Sequence, residues 1–88
     1  MSLSPQLQHE IHILSLFNPD TTFTGIKVHQ DAGAEAIAAT RRLYDKGLIT
    51  LVDGGYPTAL GQEAVQHIDS LLSILAAQGA TAAPRPAI

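Results

Sequence analysis

The stretch from Arg41 to Ala64, RRLYDKGLITLVDGGYPTALGQEA, decides the reading of this chain. Arg41, Arg42 and Lys46 fall late in a helical pattern, where positive charge complements the carbonyl end of a helix. Gly47 is placed to stop that helix as a left-handed residue, which lets Leu48 and Ile49 turn back and bury beneath it. Leu48 to Val52 then reads as a strand, and Asp53-Gly54-Gly55 as a tight turn whose glycines permit positive φ at the tip. Tyr56-Pro57-Thr58 is the expected return strand, with Pro57 tolerable because a two-stranded ribbon has only edges. Thr58 or Gly61 opens a last helix. Its apolar stripe of Leu60, Ala64, Ile68, Leu71, Leu72 and Leu75 is long enough to project beyond a small globule.

Toward the N-terminus, Ser4 is an expected helix cap and Pro5 suits the first helical position, where its missing donor costs nothing. Leu7, Ile11 and Leu14 recur at helical spacing, and Ile13, Leu16 and Phe17 widen the stripe until Asn18-Pro19-Asp20 ends it. A stripe that wide implies burial on more than one side. Thr21 to Gln30 reads two ways. Thr24, Ile26 and Val28 alternate with Gly25 and Lys27, which slightly favours a short strand; a helix capped by Thr21 or Thr22 is the alternative, weakened by Gly25. Asp31 is the expected cap of the next helix, with alanines at 32, 34, 36, 38 and 39, and Ala36, Thr40, Leu43 and Gly47 form its narrow packing face. From Gln78 onward there is no periodicity. The division expected is a domain over residues 1–77 and a disordered tail over 78–88.

The chain has 88 residues, 45% of them hydrophobic and 15% charged, which suits one small α+β, mainly helical domain with a thin core rather than a large enzyme with a deep cleft. Eight acids against five bases give a net charge of −3, the wrong sign for an indiscriminate polyanion binder. The absence of cysteine excludes a disulfide framework, a CxxC redox pair and a thiolate zinc site. No basic n-region precedes the first apolar run, and no apolar stretch reaches the roughly 18 residues of a membrane span, so a soluble cytoplasmic protein is expected.

Helix, short connector, helix, a Gly-Leu-Ile strand, a glycine-tipped ribbon and a further helix resembles the order of a winged helix-turn-helix. The resemblance is carried by Leu43, Gly47, Leu48, Ile49, Asp53, Gly54, Thr58, Leu60 and Gly61. Beyond that, Ser2 to about Leu75 resembles a small gammaproteobacterial family of unknown function whose members are often labelled DNA-binding. The pieces GIKVH, RLYDKGLIT and DGGY carry this second resemblance. Together they imply a winged-helix fold with a two-stranded ribbon and a long C-terminal helix, acting as a dimeric transcriptional regulator on double-stranded DNA. The expected DNA-contacting residues are Lys27, His29, Gln30, Arg41, Arg42 and Lys46, with Asp53, Gly54 and Gly55 forming the wing.

Residue chemistry pulls against that implication. The helix start offers Ala32, Gly33, Ala34 and Glu35, none of which reads guanine or adenine edges, and Gln30 just before it is the nearest base-reading candidate. Without Arg85 the remaining bases are Lys27, Arg41, Arg42 and Lys46, set against eight acids. Phosphate docking or an intramolecular ion pair are open alternatives for Arg41 and Arg42, with Asp45, Asp31 or an acid of the last helix as partner. A winged-helix-like protein-interaction or oligomerisation module without DNA binding is therefore the competing expectation. His9 and His12, three apart on one helix, are weak evidence for a metal site, and His29 and His67 would join them only by tertiary accident. No metal, no cofactor and no catalytic residue is expected, because no nucleophile motif, Walker sequence or paired carboxylate is present. The width of the first stripe and the late leucines of the last helix lead to an expected homodimer through Leu7, Ile11, Leu14, Ile68, Leu71, Leu72 and Leu75.

Overall fold

Ser4 caps the first helix as its position requires: its hydroxyl accepts the Leu7 amide at 3.2 Å, and Pro5 follows at the first helical position. In a computed structural model, which describes residues 2–80, the chain runs α1 (Pro5–Leu14), β1 (Ile26–Lys27), a 3-10 turn (Gln30–Ala32), α2 (Ala34–Asp45), β2 (Ile49–Leu51), β3 (Gly54–Pro57) and α3 (Ala59–Ala80). Three helices pack with a small antiparallel sheet of order β1-β3-β2, so the class is α+β and mainly helical. The core is one cluster: Ile13, Leu14 and Phe17 from the α1 end, Ala39 and Leu43 from α2, Ile49 from β2 and Val65 from α3.

Several expected boundaries move, each for a local reason. Helix α1 ends at Leu14, three residues before Phe17, because the Leu16 and Phe17 amides bond back to the Ile13 and Leu14 carbonyls in a tightening turn. That turn still drops Phe17 into the core. Asp31 caps nothing. Gln30 to Ala32 curl into the 3-10 turn, and Gly33, at φ 105°, passes the chain into α2 two residues later than expected. The ambiguous stretch contributes a strand, limited to Ile26 and Lys27, and this makes the sheet three-stranded rather than a two-stranded ribbon.

The hairpin turn lies at Val52-Asp53, and Gly54 and Gly55 belong to β3. Both take positive φ as expected, 134° and 75°, and as residues of the central strand they also admit close neighbours. A Cβ on Gly54 would run into the Ile26 carbonyl oxygen, and one on Gly55 into the Thr50 hydroxyl. Both are buried rather than displayed at a wing tip. Pro57 also sits in the central strand, where it pairs with Ile49, but β1 reaches only Gly54 and Gly55, so nothing demands its missing N–H.

The junction of α2, β2 and α3 is tied by one threonine. The Thr58 hydroxyl donates to the Gly47 carbonyl at 2.7 Å and accepts the Gly61 amide at 3.1 Å, which caps α3. Helix α3 is 22 residues long, about 33 Å at 1.5 Å per residue. Val65 is buried and Ile68 half-buried, whereas every residue from Asp69 to Ala77 is exposed, so the second half leaves the globule. The helix continues to Ala80, past the expected end at 77, and the rest of the expected tail, 81–88, lies outside the described residues. Among the described residues no helix is long and apolar enough to cross a membrane.

Gly47 and Gly61 are fixed by opposite constraints. Gly47 has φ 80° and open space around it, so only its backbone forbids a side chain; Gly61 is helical, but a Cβ would strike the Leu48 carbonyl. Gly47→Val should cost about 1–2 kcal/mol through strain. Gly61→Ala should cost about 1–3 kcal/mol through overpacking, although alanine is the better helix former by about 1 kcal/mol. Denaturant titration of each variant checks both, and a Gly61→Ala protein as stable as the parent would contradict the close approach of Leu48.

Candidate nucleic-acid interface

An open groove of about 770 Å³ lies between the β1–α2 connection, the exposed side of α2 and the hairpin turn. Its wall is fixed by a backbone bond, in which the Val28 amide donates to the Asp53 carbonyl at 2.8 Å. Val28, Ile37 and Val52 supply apolar lining. Thr40, almost fully buried, closes the base by donating its hydroxyl to the Ala36 carbonyl at 2.7 Å. Lys27 enters from β1, His29 and Gln30 from the connection, and Arg41 from α2. Four of the six expected DNA-contacting residues thus share one groove. Asp31 and Asp53 line it too, so its two cations face two carboxylates.

The other two candidates are elsewhere and engaged. Arg42 Nε donates to one Glu10 carboxylate oxygen at 2.9 Å, and Lys46 Nζ donates to the other. Arg42 also reaches the Gln6 carbonyl at 3.2 Å, so the late turns of α2 are fastened to the face of α1. These are the salt bridges among the described residues, and neither involves Lys27 or Arg41. The acid that pairs with Arg42 is therefore Glu10 of the first helix rather than Asp45, Asp31 or an acid of the last helix. Glu10 is 5% exposed. Burial pushes its carboxyl upward, but the hydrogen bonds and charges of Lys46 and Arg42 outweigh this and hold it below the ordinary value of 4.5.

The sequence contained a signal for this clamp. Glu10 falls three and four residues before Ile13 and Leu14, on the apolar stripe, and a carboxylate there demands a cation from whatever packs against it. What the sequence lacks is the identity of that neighbour. The remaining candidates separate cleanly. His9, His12, His29 and His67 are exposed, and no group of three metal-capable side chains occurs among the described residues. Leu14 lies in the chain's own core, where it cannot serve an interface between copies; Ile11 and Ile68 are half-buried. Leu7, Leu71, Leu72 and Leu75 are exposed. Gly54 and Gly55, expected at a wing tip, are buried in the sheet, and Asp53 alone of that trio lines the groove.

The chain matches the model of a family of unknown function, DUF5669, over residues 1–76. It is a member of that family. No curated protein and no solved structure matches it.

Glu10→Gln should keep the shape and lose the charge pairing. Because Arg42 and Lys46 remain partly exposed and can return to water, the loss is set at about 1–2 kcal/mol, below the cost of orphaning a buried charge. The stabilisation belongs to ionised Glu10. It is fully present above pH 4.5 and disappears as pH falls through the lowered folded-state value. The stability gap between parent and variant, measured by urea titration, should therefore be constant near neutrality and close in acid; a gap that widened in acid would reverse the assignment.

Proposed function

We infer that this is a winged-helix DNA-binding protein of the transcription-regulator kind, holding duplex DNA by its phosphates at the groove between α2 and the hairpin. The sheet order β1-β3-β2, with α2 leading directly into the hairpin, supports the winged-helix reading. The observation that carries the reading is the gathering of Lys27, His29, Gln30 and Arg41 at one groove, with no carboxylate within salt-bridge distance of either cation among the described residues. The first turn of α2, Ala34-Glu35-Ala36-Ile37, has no side chain that reads guanine or adenine edges. Contacts of this kind position a duplex without selecting its sequence. Gln30 is the residue placed to add a base contact.

A second reading has its own support. Glu10 consumes half of the cations of residues 2–80, and those that remain stand beside Asp31 and Asp53. A winged-helix-like module that binds protein instead of DNA needs no more charge than that.

Salt dependence separates the two. With two phosphates neutralised per protomer, the logarithm of the binding constant for random duplex DNA should fall with log salt at a slope of about −2 per protomer. Lys27→Ala with Arg41→Ala should remove that slope for all sequences alike, while Arg42→Ala should change stability and leave the slope intact. Absence of duplex binding by the unmutated protein at low salt would reject the DNA reading in favour of the protein-binding one.

A further inference from the structure

The outer half of α3 is apolar without being covered. Leu71, Leu72, Ile74 and Leu75 are 45–58% exposed. At 100° per residue they occupy an arc of about 160°, with Ser73 opposite its centre. From Ser70 to Ala80 the helix carries no charged residue. At the foot of this arm Phe17, Val65, Ile68 and Leu72 line a cleft of about 70 Å³ between the end of α1 and α3. Among the described residues, none covers the arm: every residue from Asp69 to Ala77 is exposed.

We propose that the arm is the seat of a second copy of this chain, the two α3 helices running antiparallel about a two-fold axis near Leu71 and Leu72. A two-fold contact must be self-complementary, and an uncharged apolar arc meets its own image without like-charge repulsion. The register follows from the cleft. Centring the axis between Leu71 and Leu72 brings Leu75 of one protomer over Ile68 and the cleft of the other. The two Asp69 carboxylates then stand about 12 Å apart, beyond the screening length at physiological salt. The arc exceeds the seam of a simple helix pair, and its surplus falls on the partner's α1 end, where Leu16 is exposed.

Size sets the strength. Four half-exposed aliphatic side chains have on the order of 90 Å² each to bury, or about 720 Å² for the pair of arms, below the roughly 1,200 Å² of a standard stable interface. The cleft and the α1 end bring the total nearer that threshold. A concentration-dependent dimer in the micromolar range is the expected state. This inference is independent of DNA binding, since the arm and the groove share no residue.

Sedimentation equilibrium of the full chain across the micromolar range tests it. The mass should rise from that of the 9.3 kDa protomer toward twice that value. Leu71→Glu with Leu75→Glu should hold the protein at the protomer mass with its helical circular dichroism retained, since both residues are exposed in the protomer. Ser73→Glu, on the far side of the helix, should leave association unchanged. Should the double variant unfold, Leu75→Ala alone should weaken association by about tenfold or more. A protomer mass for the unmutated protein at several hundred micromolar would overturn the proposal. Association that survives the double glutamate, or that Ser73→Glu abolishes equally, would show that the arm is not the seam.

Discussion

A carboxylate on the apolar face of α1 has to be neutralised from α2, and the rest of the molecule is arranged around that requirement. With seven buried hydrophobic residues among those described, the core has little area with which to hold two helices in one relative position. Glu10 supplies direction that hydrophobic contact does not. Arg42 and Lys46, four apart and therefore on one side of α2, grip its two oxygens separately, which fixes both the rotation of α2 and its height along α1. Fixing α2 fixes Gly47, since it follows the helix directly, and Gly47 in turn holds Thr58 and the start of α3. A single ion-pair node thus orients the hairpin and the last helix.

The same node divides the cations. On α2, Arg41 and Arg42 are adjacent, so they point about 100° apart, and only one can face α1. Arg42 does, with Lys46 one turn on; Arg41 is left on the groove with Lys27. The apparent basic cluster of the sequence is therefore two pairs with separate duties, one structural and one exposed. A count of basic residues cannot reveal this, because it depends on which helix packs against which.

Local chemistry made some of this legible and long-range packing hid the rest. Ser4, Pro5, Gly47 and, as the cap of α3, Thr58 act through neighbours within a few residues or through their own φ, and those roles follow from position alone. Gly54 and Gly55 take positive φ, but they also make room for the Ile26 carbonyl and the Thr50 hydroxyl, and Gly61 makes room for the Leu48 carbonyl. Read locally, the first two look like turn residues and the third like a weak helix start. The short strand at Ile26-Lys27 is legible only as an alternation, because its stability comes from Gly54 and Gly55 opening a path to it. In the groove, Lys27, His29, Gln30 and Arg41 were each identifiable as candidates, but their proximity depends on the Val28–Asp53 bond that draws the connection against the hairpin. Leu14 lies in the core rather than at an interface for a related reason. On a helix buried on more than one side, periodicity gives the width of the apolar face but not which part of it meets the chain's own core.

The groove and the arm draw on different forces, and that separation has a consequence for how they could work together. As a proposed DNA site the groove would depend on charge that salt screens, supplied among the described residues by Lys27 and Arg41. The arm depends on apolar area that salt leaves intact or strengthens. Two cations give a weak hold on a polyanion, but two copies joined through their arms present four, and the second groove then binds at the effective concentration set by the rigid span of α3. Joining protomers as proposed would thus offset the positive charge that Glu10 takes up. The chain gives two of its four cations within residues 2–80 to holding α1 and α2 together, and in the proposed dimer the uncharged helix arm would bring the remaining two of each protomer together with those of its partner.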